Sequence, residues 1–347
     1  MAHVLYNEGA KFKSPRYLIE HYLISEKDDD CELTVRCNGK VFYLRVSPSG
    51  FKNSPTVLKQ YLTYLEVLRS GEEQLDGVFD DEFYTWATQP CELLFAELAP
   101  AMNLVSRQST LQDYLFPAFY VCTLKAIDDK LVPFRIETQD SGRLLPGVWL
   151  RREFLEDLKT WTAIFHPTEV ELSPRNPADA LYTSPKKVLV DGGRTARFFK
   201  AFFPGAPFHA IDELQAFKKI AGADLALDVH ICRLHGVVQN EDGLLMGMLL
   251  TYIEHDKSLS TAVRPDTPFP LRKQWVDQVS EAITELHGVG VVWGDAKPGN
   301  VLIDTADNAW IVDFGGGYTE GWVDKEKTGT IEGDLQGMAN ISSWILK

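Results

Sequence analysis

Basic residues are scarce in this chain. Its 347 residues carry 35 Lys plus Arg against 49 Asp plus Glu, a formal net charge of −14. An extended nucleic-acid surface neutralises phosphates with clustered Lys and Arg, so that class of partner is disfavoured. A local basic patch, and with it a tRNA partner, stays open. Long apolar runs are missing as well: no stretch reaches the ~18 residues a membrane-spanning helix needs, so no membrane association is expected. The opening residues Met1 to Glu8 lack a basic region followed by an apolar run, which argues against a secretory leader. Cysteine is sparse and unpatterned. Cys31, Cys37, Cys91, Cys122 and Cys232 are odd in number and show no CxxC spacing. A disulfide framework and a structural zinc site are thereby disfavoured, and reduced, buried thiols in a cytoplasmic protein are expected. Internal repeats and low-complexity tracts are absent too.

What is present is enough apolar sequence for two domains. The hydrophobic fraction is 45% and the charged fraction 24%, ordinary values for a chain that buries a core. Glu32–Cys37 and Val41–Val46 flank Asn38-Gly39, a strong signal for a hairpin with a type I′ turn. Ser54-Pro55 opens an apolar helical pattern that Ser70-Gly71 stops. Asp80 to Leu98 predicts a helix interrupted near Pro90. Phe119 to Leu124 and Leu131 to Ile136 read as strands around Asp128-Asp129, and Leu150 to Phe165 as a helix. The proline-rich stretch from His166-Pro167 to Pro185 then marks a boundary, giving an N-terminal α+β region at 1–165 and a second domain at 166–347.

The second domain has a different order of elements. Lys187–Val190 and Arg197–Phe202 predict strands around Asp191-Gly192-Gly193. A helix follows at Ile211–Ile220 and a buried strand at Leu244–Ile253. Leu271–Gly288 has apolar residues at helical spacing: Trp275, Val276, Val279, Ala282, Ile283 and Leu286. Two short strands, Val301–Ile303 and Ala309–Val312, are separated by Asp307-Asn308.

The chemically informative stretch is Val292-Trp293-Gly294-Asp295-Ala296-Lys297-Pro298-Gly299-Asn300, followed downstream by Asp313-Phe314-Gly315. An Asp, a Lys two residues on and an Asn five residues on resemble the catalytic loop of the protein-kinase-like superfamily, and Asp-Phe-Gly resembles its metal-binding motif. The resemblance implies an α+β, two-lobed kinase-like fold, with a small lobe at about 170–255 and a large lobe at about 256–347 that is truncated at its C-terminal end. It also implies ATP and Mg²⁺ as cofactors. Phosphoryl transfer explains the residue types. Asp313 and Asn300 offer hard oxygen ligands to Mg²⁺. Asp295 would orient an acceptor hydroxyl and receive its proton. Lys297 would set positive charge beside the moving phosphoryl group. Upstream, Lys200 resembles the strand lysine that pairs the nucleotide α- and β-phosphates. Glu213 resembles its helix partner, with Asp212 as the neighbouring alternative. Glu254, in Thr251-Tyr252-Ile253-Glu254-His255, falls where a hinge would bond adenine through its backbone.

Three departures qualify the resemblance. The Gly-rich phosphate loop before Lys200 is missing, leaving Ser173–Ser184 as a substitute lid. Trp293 stands where many members have His, and Gly294 replaces the usual Arg, as in aminoglycoside-phosphotransferase-type kinases; the missing Arg disfavours control through a phosphorylated activation loop. Trp293 itself fits either a core position or the acceptor side. No Ala-Pro-Glu follows; Thr328-Gly329-Thr330 and Asp334 resemble the end of an activation segment, and Gly333–Leu346 predicts one further helix. The runs Arg233–Val238, Trp293–Pro298 and Phe314–Trp322 are also similar to kinase-like proteins widespread in filamentous fungi. The leading expectation is an ATP- and Mg²⁺-dependent phosphotransferase with an unidentified, small-molecule hydroxyl acceptor. The alternatives are a non-catalytic nucleotide-binding module, and a kinase-like scaffold recruited in secondary metabolism for ligation or aminoacyl-tRNA-dependent peptide formation.

Overall fold

The computed structural model describes residues 15–100, 108–138, 146–175, 179–204 and 206–347. The fold is α+β, in two compact units: Met1–Arg143 with Arg175–Ser184, and Leu144–Pro174 with Pro185–Lys347.

The first unit is a five-stranded sheet with helices on one face. Strands β1 (Tyr17–Ile24), β2 (Cys31–Cys37) and β3 (Lys40–Val46) run antiparallel. Asn38 and Gly39 both take positive φ (47° and 75°), which closes the β2–β3 hairpin in two residues as the Asn-Gly pair predicts. Period-two alternation sends Phe42, Leu44 and Val46 to one face and Val41 and Tyr43 to the other. On the first face lies α1 (Pro55–Ser70), which adds Val57, Tyr61, Tyr64, Leu65 and Leu68 to the core. Pro55 occupies its first turn and Gly71 ends it at φ 71°, although the Ser54 side chain makes no cap bond. A two-residue ladder, β4 (Gln74–Leu75) with β5 (Val78–Phe79), leads to α2 (Asp80–Thr88). Pro90 then turns the chain through one 3₁₀ turn into α3 (Glu92–Leu98), because proline supplies no N–H to a continuous helix. A short helix, α4 (Leu111–Leu115), precedes β6 (Phe119–Ile127), which joins β3 in parallel, and β7 (Lys130–Ile136), which completes the sheet.

The second unit begins earlier than the sequence predicts. Only Arg152–Leu158 of the expected 150–165 helix is helical (α5); Ala163–Phe165 forms strand β8. A parallel partner, β12 (Leu234–Gln239), claims it. Gly236 makes the pairing possible, since a Cβ there would lie 2.5 Å from the Phe165 ring. Val148 also bridges to Leu245, so the expected boundary at 165/166 falls inside the unit rather than at its edge. Conversely, residues 175–184 group with the first unit, where Asp179 pairs with Arg16 and the Tyr182 hydroxyl donates to the Arg16 carbonyl at 2.8 Å.

The second unit's main sheet adds β9 (Glu171–Leu172), β10 (Lys187–Val190), β11 (Thr195–Ala201) and β13 (Leu245–Thr251), in the order β8-β12-β13-β11-β10-β9. Helix α6 (Pro207–Gly222) links β11 to β12. Below it, β14 (His255–Ser258) pairs with a hairpin of β15 (Val301–Asp304) and β16 (Ala309–Ile311). Between them run α7 (Leu259–Ala262) and α8 (Phe269–Gly288). The α8 face that reads as apolar in sequence is the buried one: Trp275, Val279, Ala282, Ile283 and Leu286. The last helix, α9 (Ile331–Ile345), is capped by the Thr330 hydroxyl, which accepts from Gly333 N at 3.0 Å. One continuous core joins α6, β13, α8, β15, β16 and α9. Among the described residues no helix is long and apolar enough to cross a membrane.

Two expectations follow. A Cβ at Gly337 would lie 2.5 Å from Ala296 Cβ and 2.7 Å from Ala296 O, whereas one at Gly288, at the end of α8, meets nothing. Gly337→Ala should cost about 1–3 kcal/mol by urea denaturation, and Gly288→Ala should be neutral or mildly stabilising. Equal effects at the two sites would contradict the packing described. All five cysteines are buried and free. Burial pushes the thiols of Cys31 and Cys232 up to about 12, those of Cys37 and Cys122 to about 11, and that of Cys91 higher still. The thiolate is the reactive form, so native protein at pH 8 should give almost no reaction with a disulfide reagent, and denatured protein should titrate all five.

Candidate active site

Strand alternation sets Lys200, near the end of β11, on the sheet face that α6 covers. Its ammonium donates to both carboxylate oxygens of Glu213 at 2.8 Å and to Asp313 Oδ1 at 2.8 Å. Glu213 lies on the inner face of α6 and is only 4% exposed, while Asp212 points outward and is exposed. The sequence-level choice between them is thus decided by helix phase. Burial pushes the Glu213 carboxyl above its ordinary range, and the Lys200 charge opposes that rise. Burial likewise works against the Lys200 charge, but Glu213 and Asp313 outweigh it and the ammonium titrates higher than usual.

Asp313 holds a left-handed backbone at φ 67°, uncommon for a residue with a side chain. Two anchors sustain it. Phe314, which follows, is buried edge-on against Phe217 of α6, with ring centroids 5.4 Å apart. Val312, which precedes it, donates its N–H to Asn300 O at 3.1 Å.

The segment from Trp293 to Asn300 is held by Asp334, from the first turn of α9. This carboxylate, 1% exposed, accepts Trp293 N at 2.7 Å, Gly294 N at 2.8 Å and His287 Nε2 at 2.8 Å. Trp293 is fully buried, and its indole N–H donates to Val312 O at 2.9 Å, so it is a core residue tying the two motif segments together. Asn300 donates from Nδ2 to Asp295 O at 3.0 Å and to Asp295 Oδ2 at 3.1 Å. Lys297 Nζ sits 2.6 Å from Asp295 Oδ2 and donates to the Thr319 hydroxyl at 2.8 Å.

The fold therefore gathers Lys200, Glu213 and Asp313 in one cluster and Asp295, Lys297 and Asn300 in another. Glu254 stands apart: it is exposed beyond β13, and its carbonyl accepts Thr305 N at 3.1 Å. The substitute lid Ser173–Ser184 links β9 to β10, but residues 176–178 lie outside the described residues, and 175–184 belongs to the first unit. Gly192 and Gly193 form the β10–β11 turn instead. Two contributors were not assigned roles from the sequence. In the sequence Asp334 marks only the end of an activation-segment-like stretch, in a helix's first turn, and Thr319 is one residue of the Phe314–Trp322 run, neither with a contact to the catalytic loop.

Among the described residues no group of three or more His, Cys, Asp or Glu could hold a metal. The donor set suits Mg²⁺ nonetheless, since that ion takes one or two protein oxygens and completes its shell with phosphate and water. Asn300 spends its amide nitrogen on Asp295, which leaves its amide oxygen available to a metal, and Asp313 has one carboxylate oxygen beyond the one bonded to Lys200.

Residues 207–339 match the family model described as protein kinase domain. The chain is 30% identical over 111 residues to a probable cell division protein kinase of Encephalitozoon cuniculi, covering 32% of this chain and 33% of that protein. It is 31% identical over 111 residues to a serine/threonine-protein kinase of Saccharomyces cerevisiae, covering 30% of this chain and 21% of the other. The chain thus spans about a third and about a fifth of these relatives. The family match starts at the first residue of α6 and so excludes β11 and Lys200, which the fold nevertheless brings to Glu213.

Removing the Asp334 carboxylate strands buried N–H groups. Asp334→Ala should destabilise the second unit by about 2–4 kcal/mol in urea denaturation, with Asp334→Asn recovering part of the loss. A cost below about 0.5 kcal/mol, the size of an ordinary surface change, would show that Asp334 does not anchor the loop.

Proposed function

We propose that the protein-kinase-like domain of this chain transfers the γ-phosphoryl group of ATP to the hydroxyl of a small molecule, using Mg²⁺. The second unit is of the protein-kinase-like superfamily, and kinase-like phosphotransfer is the activity that goes with it. The observation that carries the finer reading is the ammonium of Lys200, 2.8 Å from both Glu213 and Asp313. A lysine so placed is fixed in direction, stays charged and can pair with nucleotide phosphates.

The roles divide as follows. Lys200, oriented by Glu213, binds the α- and β-phosphates. The backbone around Glu254 meets the adenine edge. Asn300 and Asp313 would hold Mg²⁺, whose charge would offset that developing between the β- and γ-phosphates. Asp295 accepts the proton of the attacking hydroxyl and directs its lone pair at phosphorus. Lys297, beside Asp295, stabilises charge on the moving group. Gly294 supports a small acceptor, because it leaves no arginine beside Asp295 to couple the site to a distant phosphorylated segment.

Asp295→Asn should lower kcat by about 10²–10⁴ while leaving ATP affinity near wild type. Lys200→Met and Asp313→Asn should instead weaken binding, Asp313→Asn by removing its dependence on Mg²⁺. Calorimetric titration with ATP, with and without Mg²⁺, and ADP release over a panel of hydroxyl acceptors would measure both. Absence of ATP binding would sink the proposal. Mg²⁺-dependent binding without any transfer would leave a nucleotide-binding module.

A further inference from the structure

Helix α6 carries Glu213 to Lys200, yet little in α6 itself fixes it there. Ala206 gives its N-terminus no side-chain cap. Burial of the Glu213 carboxylate opposes docking, because desolvating the ion pair offsets much of its attraction. The hold on α6 comes from elsewhere, and the segment just before β9 provides it.

Residues 147–165 touch both elements whose relative position decides whether Glu213 meets Lys200. At the sheet, Val148 N donates to Leu245 O at 2.8 Å and Leu245 N to Val148 O at 3.1 Å. Leu245 opens β13, the strand that pairs Met248 with Lys200. β8 then runs along β12, with Phe165 opposite Val238 and its ring in the space that Gly236 leaves. At the helix, Leu158 of α5 is wholly buried in the core that includes Leu214, Phe217 and Ile220 of α6. Phe154, Leu155 and Trp161 pack against the same core. The Asp157 carboxylate pairs with the Lys218 ammonium of α6. All of this lies outside the stretch that the kinase family model matches, residues 207–339.

We propose that residues 147–165 form a brace that holds α6 against the sheet, with Asp157, Leu158 and Phe165 as positioning residues for the Lys200–Glu213 contact. Its effect on nucleotide rests on the phosphotransferase reading; its mechanics do not. The Val148 bridge and β8 fix one end on the sheet that carries Lys200. α5 fixes the other end on α6. The chain thereby assembles its own nucleotide site and needs no partner to press α6 into place. A brace works only while both ends hold. Damage at either end has the same consequence, and damage at both adds little, whereas independent packing contacts would add.

The test uses the full chain, first without nucleotide and then with Mg-ATP. Gly236→Ala drives a methyl group into the Phe165 ring and releases the sheet end. Asp157→Lys sets a like charge beside Lys218 and loosens the helix end without touching the core. Amide exchange across 207–222 should rise about tenfold in Gly236→Ala and about three- to fivefold in Asp157→Lys, with α8 exchanging at the wild-type rate in both. The double variant should exchange no faster than Gly236→Ala alone. Lys218→Asp should restore protection to Asp157→Lys. Mg-ATP affinity, measured by calorimetry, should fall in step with the rise in exchange. If Gly236→Ala does not fold, Asp157→Lys and its rescue by Lys218→Asp still decide the matter. Unchanged exchange across α6 in Asp157→Lys, no rescue by Lys218→Asp, or effects that multiply in the double variant would each overturn the brace and leave the phosphotransferase reading standing. Wild-type protein that binds no Mg-ATP would overturn that reading, while exchange across α6 would still decide the brace.

Discussion

The Lys200 ammonium lets two carboxylates share one corner of the second unit. Glu213 is almost wholly out of water, and Asp313 is drawn to the same nitrogen. Without that charge, burial would favour a protonated Glu213 and leave Asp313 without its partner. Such an arrangement is weak evidence for stability, because desolvating the three groups offsets much of their attraction. It is better understood as geometric. The triangle fixes the relative positions of β11, α6 and the segment after β16, three elements far apart in sequence.

A second constraint acts below it. The loop bearing Asp295 is short and irregular, so its backbone groups need partners that it cannot supply itself. Asp334 provides them from α9, and Trp293 joins the loop to Val312 through its indole N–H. α9 reaches the loop only because Gly337 has no side chain to strike Ala296. The last helix is thereby part of the support of the site rather than an appendage. The first unit has a core of its own, built on Tyr61, Phe42, Leu44 and Phe83, and needs none of these contacts to bury it.

Much of this was legible in the sequence wherever a local rule dominates. The Asn38-Gly39 hairpin, the break at Pro90, the apolar face of α8 and the turn at Asp307-Asn308 follow from φ preferences, missing N–H groups and periodicity. The helix expected over 150–165 failed because β8 is a strand only by virtue of β12. Its pairing energy comes from residues some seventy positions later, and Gly236, which makes room for it, looks incidental in the sequence. The same long-range pairing moved the domain boundary.

The division at the site is similar. The sequence alone determined the chemistry available, since Asp295, Lys297, Asn300 and Asp313 stand at spacings that carry their types wherever the chain goes. Tertiary structure alone decided which carboxylate meets Lys200, because Glu213 and Asp212 differ only in helix phase. It also assigned Asp334 to the loop and set Thr319 against Asp295. Those choices depend on the packing of α6 and α9 and on the absence of a Cβ at Gly294, Gly317 and Gly337, and close approach between distant segments has no counterpart in local sequence pattern.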